Sequence, residues 1–159
     1  MKKILKDERG DMPFLTLFIM LAVVMIMSFV LLYATVKINS MNIRNAFKME
    51  LNNVSASIYA DTFHSQREAN LMSYMADVHI SQAYLKALEE GFIEGVQEKV
   101  PLETDDYSLT DIGIQFMKYD DRIEYIATGL VTFKINMFGQ LFPPIEQEIR
   151  LTGTHNTKY

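Results

Sequence analysis

The chain has 159 residues, enough for one modest domain, with no cysteine, 49% hydrophobic residues and a formal charge of −5. The missing cysteines exclude a disulfide framework, a thiolate metal site and a cysteine nucleophile. An acidic balance with scattered Lys and Arg argues against nucleic acid as a partner, because phosphate binding needs a clustered basic surface.

Residues 1–13 form a charged leader with Lys2, Lys3, Lys6 and Arg9, and Arg9-Gly10-Asp11 spells the tripeptide of a cell-adhesion ligand. The residues that follow decide how it is read. Residues 14–36 carry no charge, and only Thr16, Ser28, Tyr33 and Thr35 interrupt the apolar run. A bilayer core of roughly 30 Å needs about 20 helical residues, so a transmembrane helix is expected here. A buried helix of a soluble protein is seldom apolar on every face for so long. A signal peptide has a shorter apolar region and a small-x-small cleavage site, which Val36-Lys37-Ile38-Asn39 does not offer. Lys37, Arg44 and Lys48 follow the run, so the positive-inside rule favours a cytoplasmic N-terminus by a small margin. This orientation describes a single-pass protein of the cytoplasmic membrane with most of its chain outside. It leaves the tripeptide at the cytoplasmic face, beyond reach of any extracellular receptor. Met20, Met25 and Met27 read most simply as flexible side chains facing lipid or packing against helices.

Residues 37–100 are expected to be helical and extracytoplasmic. Ile43, Phe47, Leu51, Val54 and Ile58 recur at spacings of three and four, with Lys48, Asn52, Asn53 and Ser55 off this stripe. No Pro or Gly falls between Phe14 and Met75, so one continuous helix is predicted from about Phe14 to about Ala60. In the more polar segment 61–77 a bend or break is expected, with continuation of the helix through it as the alternative. A second amphipathic helix carries Ile80, Tyr84, Leu88, Phe92 and Val96 on one face and Glu89, Glu90, Glu94 and Glu98 away from it, ending near Lys99 before Pro101. Gly91 and Gly95 are formally G-x-x-x-G, which has physical meaning only in an apolar membrane helix; here they are expected to weaken the end of a surface helix.

Residues 101–159 change to the period of strands. Ile112, Ile114 and Phe116 alternate with Gly113, Gln115 and Met117, and Tyr119-Asp120-Asp121-Arg122 reads as a turn. The odd positions from Ile123 to Met137 then form a second strand, with Gly129 as a candidate bulge. Beyond the loop at Pro143-Pro144, a third strand holds Ile145, Ile149 and Leu151 against Glu146, Glu148, Arg150 and Thr152. Three strands with one apolar face need a cover, and the amphipathic helices are the only apolar surfaces left to supply it. The fold class is therefore α+β: a long N-terminal helix, a second amphipathic helix and a small three-stranded antiparallel sheet.

Chemistry-bearing patterns are sparse. His64, His79 and His155 match no metal-ligand spacing, and the scattered glycines form no phosphate loop. Asp105/Asp106 and Asp120/Asp121 fall in predicted turns, where Asp serves the backbone, and no pocket is implied that would shift a pKa. Neither an enzyme nor a cofactor is expected. Asn53-Val54-Ser55 matches a glycosylation sequon by pattern alone, inside a predicted helix.

Lys6-Asp7-Glu8-Arg9-Gly10 before Asp11-Met12-Pro13-Phe14-Leu15-Thr16-Leu17 resembles the leader and helix start of the type IV pilin superfamily. The closing region, Leu130 to Phe133, then Leu141-Phe142-Pro143-Pro144 and Ile149-Arg150-Leu151, is similar to the strand, proline loop and strand that end TadE-like minor pilins and pseudopilins of tight-adherence systems. The resemblance implies that a membrane-embedded prepilin peptidase cuts between Gly10 and Asp11, and that the freed helices pack laterally with other pilin-like subunits or assembly-platform proteins. Phe14, Leu17, Leu21, Val24, Ser28 and Leu32 would carry that packing in the membrane, and Ile43, Phe47, Leu51, Val54 and Ile58 would hold the chain's own sheet. The fifth mature position, usually Glu in that family, is Leu15 here. That departure implies either a minor or tip subunit or an uncleaved signal anchor. Asp11 is a candidate helix cap, and Pro13 is accepted in a first turn. The rival expectation is a membrane-anchored binding or accessory module of a conjugation or secretion apparatus.

Overall fold

A computed structural model describes residues 11–68, 82–119, 122–135 and 143–156. The architecture is α+β. Helix α1 spans Asp11–Glu68 and α2 spans Gln82–Lys99, followed by strands β1 (Tyr107–Lys118), β2 (Arg122–Phe133) and β3 (Ile145–Asn156). The chain divides into two units, Met1–Ile38 and Asn39–Tyr159.

The chain is already helical at Asp11, the first described residue, ahead of the expected start at about Phe14, and α1 continues through Glu68 past the expected end near Ala60. The polar segment 61–68 does not break it, since it contains neither Pro nor Gly, the two residues that most disfavour a helix interior. The rest of the expected bend, together with Ile80 and His79, lies outside the described residues. In α2, Phe92 and Val96 are buried and Tyr84 and Leu88 half-buried. Lys99 occupies its last turn, where a cation complements the helix dipole. The Val100 amide donates to the Val96 carbonyl at 3.0 Å before Pro101 ends the segment.

The sheet is an antiparallel meander in the order β1-β2-β3. In β2 every odd residue from Ile123 to Phe133 is buried and every even one half-buried, as the period-two pattern requires. Ile135 falls beyond the strand end, and Met137 lies outside the described residues. Strand β1 departs from expectation in two ways. It begins at Tyr107, so that Tyr107 and Leu109 join the core, and its buried positions then change from odd to even at Ile114. The cause is a bulge. Thr110 pairs with Leu130 and Gly113 with Thr128, leaving Asp111 and Ile112 opposite the single residue Gly129. Asp111 takes a left-handed conformation there, with φ of 53°, which Asp tolerates better than most side chains. The bulge is thus in β1, and Gly129 is the residue it faces, in a strand whose pairing with β3 is unbroken. In β3, Ile149 is buried and Leu151 half-buried, but Ile145 is exposed because it opens an edge strand.

Within the Asn39–Tyr159 unit, Ser40 donates to Gln147 at 2.9 Å, and Tyr59 meets His155 edge-on at 5.8 Å. From Ser40 to Tyr59 the helix advances about 28 Å, and from Gln147 to His155 the strand advances about 26 Å. This part of α1 therefore runs alongside β3 in the same direction, with its stripe over the sheet's apolar face. Helix α2 packs beside β1.

Candidate functional site

The two units offer two different surfaces. In Met1–Ile38, α1 is apolar around its whole circumference. Phe14, Leu17, Leu21 and Val24 are all exposed, as are their neighbours Leu15, Phe18, Ile19 and Met20. Leu32 is half-buried, and the half-buried Ser28 donates its hydroxyl to the Val24 carbonyl at 2.9 Å, which satisfies a polar group within its own helix. This is one helix long and apolar enough to cross a membrane. Water would not hold such a surface alone; lipid or other apolar helices would. Gly10 lies outside the described residues, and Asp11 is the first described residue, already helical.

In Asn39–Tyr159 the predicted stripe is buried throughout: Ile43, Phe47, Leu51, Val54 and Ile58 are each less than a tenth exposed. Phe47 is its centre. The ring meets Phe92 of α2 edge-on with centroids 5.7 Å apart, and it lies so close to β2 that a Cβ on Gly129 would fall 2.6 Å from its Cζ. Gly129 therefore lets the helix side chain reach the sheet backbone.

Glu50 is a polar residue that the stripe did not announce. It is buried, paired with Lys99 of α2, and accepts hydrogen bonds from the Asn53 amide at 3.2 and 3.1 Å. Gly95 makes room for it, since a Cβ there would lie 2.5 Å from the Glu50 Cδ. Gly95 thus serves the contact of two helices rather than a weakened helix end, and α2 continues past it to Lys99. The signal was present in the sequence: Ile43, Phe47, Glu50 and Val54 are spaced by four, three and four, which places the carboxylate on the buried face.

Among the described residues no three His, Asp or Glu side chains gather as metal ligands do. His155 is half-buried against Tyr59; the His64 side chain and His79 are not described. Asp105 and Asp106 are exposed in the bend before β1, where Thr104 Oγ1 accepts from the Asp106 and Tyr107 amides at 3.3 and 3.1 Å. Asp120 and Asp121 lie outside the described residues. An open groove between α2 and β1, lined by Leu85, Lys86, Glu89, Ile114, Phe116 and Met117, brings no nucleophile beside a base.

Tyr107 provides a pH test of the fold. Burial pushes its hydroxyl above the usual value of 10.0, and the neighbouring Asp106 charge adds to the effect. The unfolded chain then loses this proton at lower pH than the folded one, so stability is intact below the unfolded value and falls as pH rises through the folded one. Denaturation midpoints of the full chain in mild detergent should drop across the alkaline range. Tyr107→Phe should flatten that decline, and an unchanged slope would count against the burial of this hydroxyl.

Compared with known proteins, the chain matches no family model, no curated protein and no solved structure.

Proposed function

We propose that the chain is a structural, non-enzymatic subunit of a bacterial envelope assembly, a single-pass protein similar to minor pilins or pseudopilins. One observation supports this reading above others. Helix α1 is uninterrupted from Asp11 to Glu68, apolar and exposed in its first part and a buried stripe in its second. A helix built this way suits a subunit that packs laterally in the membrane through one segment and carries a small domain on the other. The N-terminus is cytoplasmic, given Lys2, Lys3, Lys6 and Arg9 before the span, and the bulk of the chain is extracytoplasmic. Its partners are membrane lipid, other pilin-like subunits or assembly-platform proteins, and a prepilin peptidase acting between Gly10 and Asp11. Leu15 withholds the intramembrane carboxylate that would pair with a neighbouring N-terminus, which suits a minor or tip position better than a repeating one.

Intact-mass measurement of the membrane-extracted protein, from cells with an active prepilin peptidase, should show residues 1–10 missing. Sheared surface fractions should contain the same species. A chain that keeps its leader and stays with the membrane after shearing would instead be a tethered accessory module.

A further inference from the structure

The apolar run of the Met1–Ile38 unit closes on one aromatic side chain and one cation. Tyr33 is exposed, and one turn later the exposed Lys37 folds its ammonium back to 6.0 Å from the Tyr33 ring centroid, at the outer reach of a cation–π contact. The direction of that fold matters. Helical side chains lean toward the N-terminus, so the ammonium returns toward the apolar run instead of extending away from it. From Phe14 to Tyr33 the helix has about 20 residues and advances about 30 Å, the thickness of a bilayer's hydrocarbon core. A run that fills this core puts the Tyr33 ring at its edge, where amphipathic aromatics collect at the level of the headgroups, and the Lys37 ammonium beside that ring.

The sequence withholds any local counter-charge. Between Asp11 and Glu50 there is no Asp or Glu, so no carboxylate lies within a turn of Lys37 on its own helix. The Tyr33 hydroxyl and the Lys37 ammonium are two donors presented from adjacent turns of one helix face, complementary to a phosphodiester with net negative charge. We propose that Tyr33 and Lys37 form a headgroup-binding pair for anionic phospholipid, and that this pair fixes the depth of the helix in the bilayer. The proposal rests on reading this helix as a membrane span, which a separate control examines.

The chain contains no Trp, so Tyr33→Trp installs a single reporter that keeps an aromatic ring at the site. The full-length variant is reconstituted in bilayers in which either phosphatidylglycerol or phosphatidylcholine carries bromine, at a shallow or a mid-chain position. Shallow bromines should quench the reporter more than mid-chain ones, and brominated phosphatidylglycerol more than brominated phosphatidylcholine. Adding Lys37→Gln should reduce the anionic preference about five-fold, the scale of one basic residue at a charged membrane surface, whereas Lys37→Arg should retain it. Stronger quenching from mid-chain bromines would put position 33 inside the hydrocarbon and overturn the pair. Equal quenching by the two lipids, or a preference that survives Lys37→Gln, would overturn it as well. The control is Leu21→Trp, which should respond most to mid-chain bromines without headgroup preference. If neither reporter is quenched by lipid, the span reading fails and the pair with it; if only position 33 misbehaves, the span stands and the pair alone is wrong.

Discussion

Replacing Phe47 with alanine should destabilise the Asn39–Tyr159 unit by about 3–5 kcal/mol, the usual cost of emptying a buried phenylalanine site. The ring is fully buried, stacked edge-on against Phe92 and seated on Gly129, so its removal takes one contact from each layer of the unit at once. A domain of this size holds a net stability of about 5–15 kcal/mol, which makes this a large fraction of the total. Gly129→Ala examines the same contact from the other side. The added methyl would lie 2.6 and 3.0 Å from two atoms of the Phe47 ring and 3.6 Å from Leu109 Cδ1, an overpacking expected to cost about 1–3 kcal/mol. The two changes should not add. In the Phe47→Ala background the methyl enters the space left by the ring, so the double variant should be more stable than the sum of single costs by at least about 1 kcal/mol. Chemical denaturation of the full chain in mild detergent, followed by circular dichroism, measures all four corners of the cycle. Additivity within about 0.5 kcal/mol would mean that Phe47 does not rest on Gly129.

The stripe from Ile43 to Ile58 was legible because its spacing is helical and nothing in the sequence interrupts it; all five residues are buried. The odd positions of β2 were legible for the matching reason at period two. Strand β1 was harder. A bulge changes the face of every later residue, and its marker here is Asp111, an ordinary residue for a turn and an unusual one for a left-handed position inside a strand. Reading backward from Ile112, Ile114 and Phe116 therefore missed Tyr107 and Leu109, which lie on the same face only because an extra residue intervenes. Gly129 drew notice as a break in pattern, but a glycine in a strand signals either a bulge or a close approach. The sequence alone does not say that the bulge lies across from it and that a phenylalanine from the helix fills the space. The apolar run was plain from composition, since no charge occurs for more than 20 residues, but lipid and an apolar helix would be met by the same side chains, so its pattern does not announce which. Glu50 was passed over because the stripe was traced through Leu51, its equally well-spaced neighbour.

Among the described residues of this unit, severing the Glu50–Lys99 pair should be the most costly single loss of a charge. The Glu50 side chain is 7% exposed and Lys99 30% exposed, so the carboxylate has given up most of its water while the ammonium keeps part of its own. Lys99→Met leaves Glu50 with the Asn53 amide as its remaining described donor. Removing one partner of a fully buried pair costs about 3–5 kcal/mol, and the partial exposure of Lys99 lowers the expectation to about 1–3 kcal/mol. Replacing both residues by methionine should be nearly neutral, because it removes the desolvated charge along with its partner and fills the space with apolar atoms. Gly95→Ala, which puts a methyl against the Glu50 carboxylate, should cost about 1–3 kcal/mol in the parent chain and less once Glu50 is methionine, whose flexible thioether can turn aside. If Lys99→Met costs less than about 0.5 kcal/mol in denaturation of the full chain, the pair behaves as a surface ion pair and Glu50 is better solvated than its position indicates. If the double methionine variant proves as unstable as Lys99→Met alone, the charges supply net stability that apolar packing cannot replace. The expected pattern, a costly single change and a nearly silent double one, identifies the pair as a device that sets how α1 and α2 meet. An apolar contact could slide by a residue at small cost, but a buried carboxylate that slides away from Lys99 and out of the Gly95 gap loses the charge partner for its desolvation and keeps only the neutral Asn53 amide among its described donors.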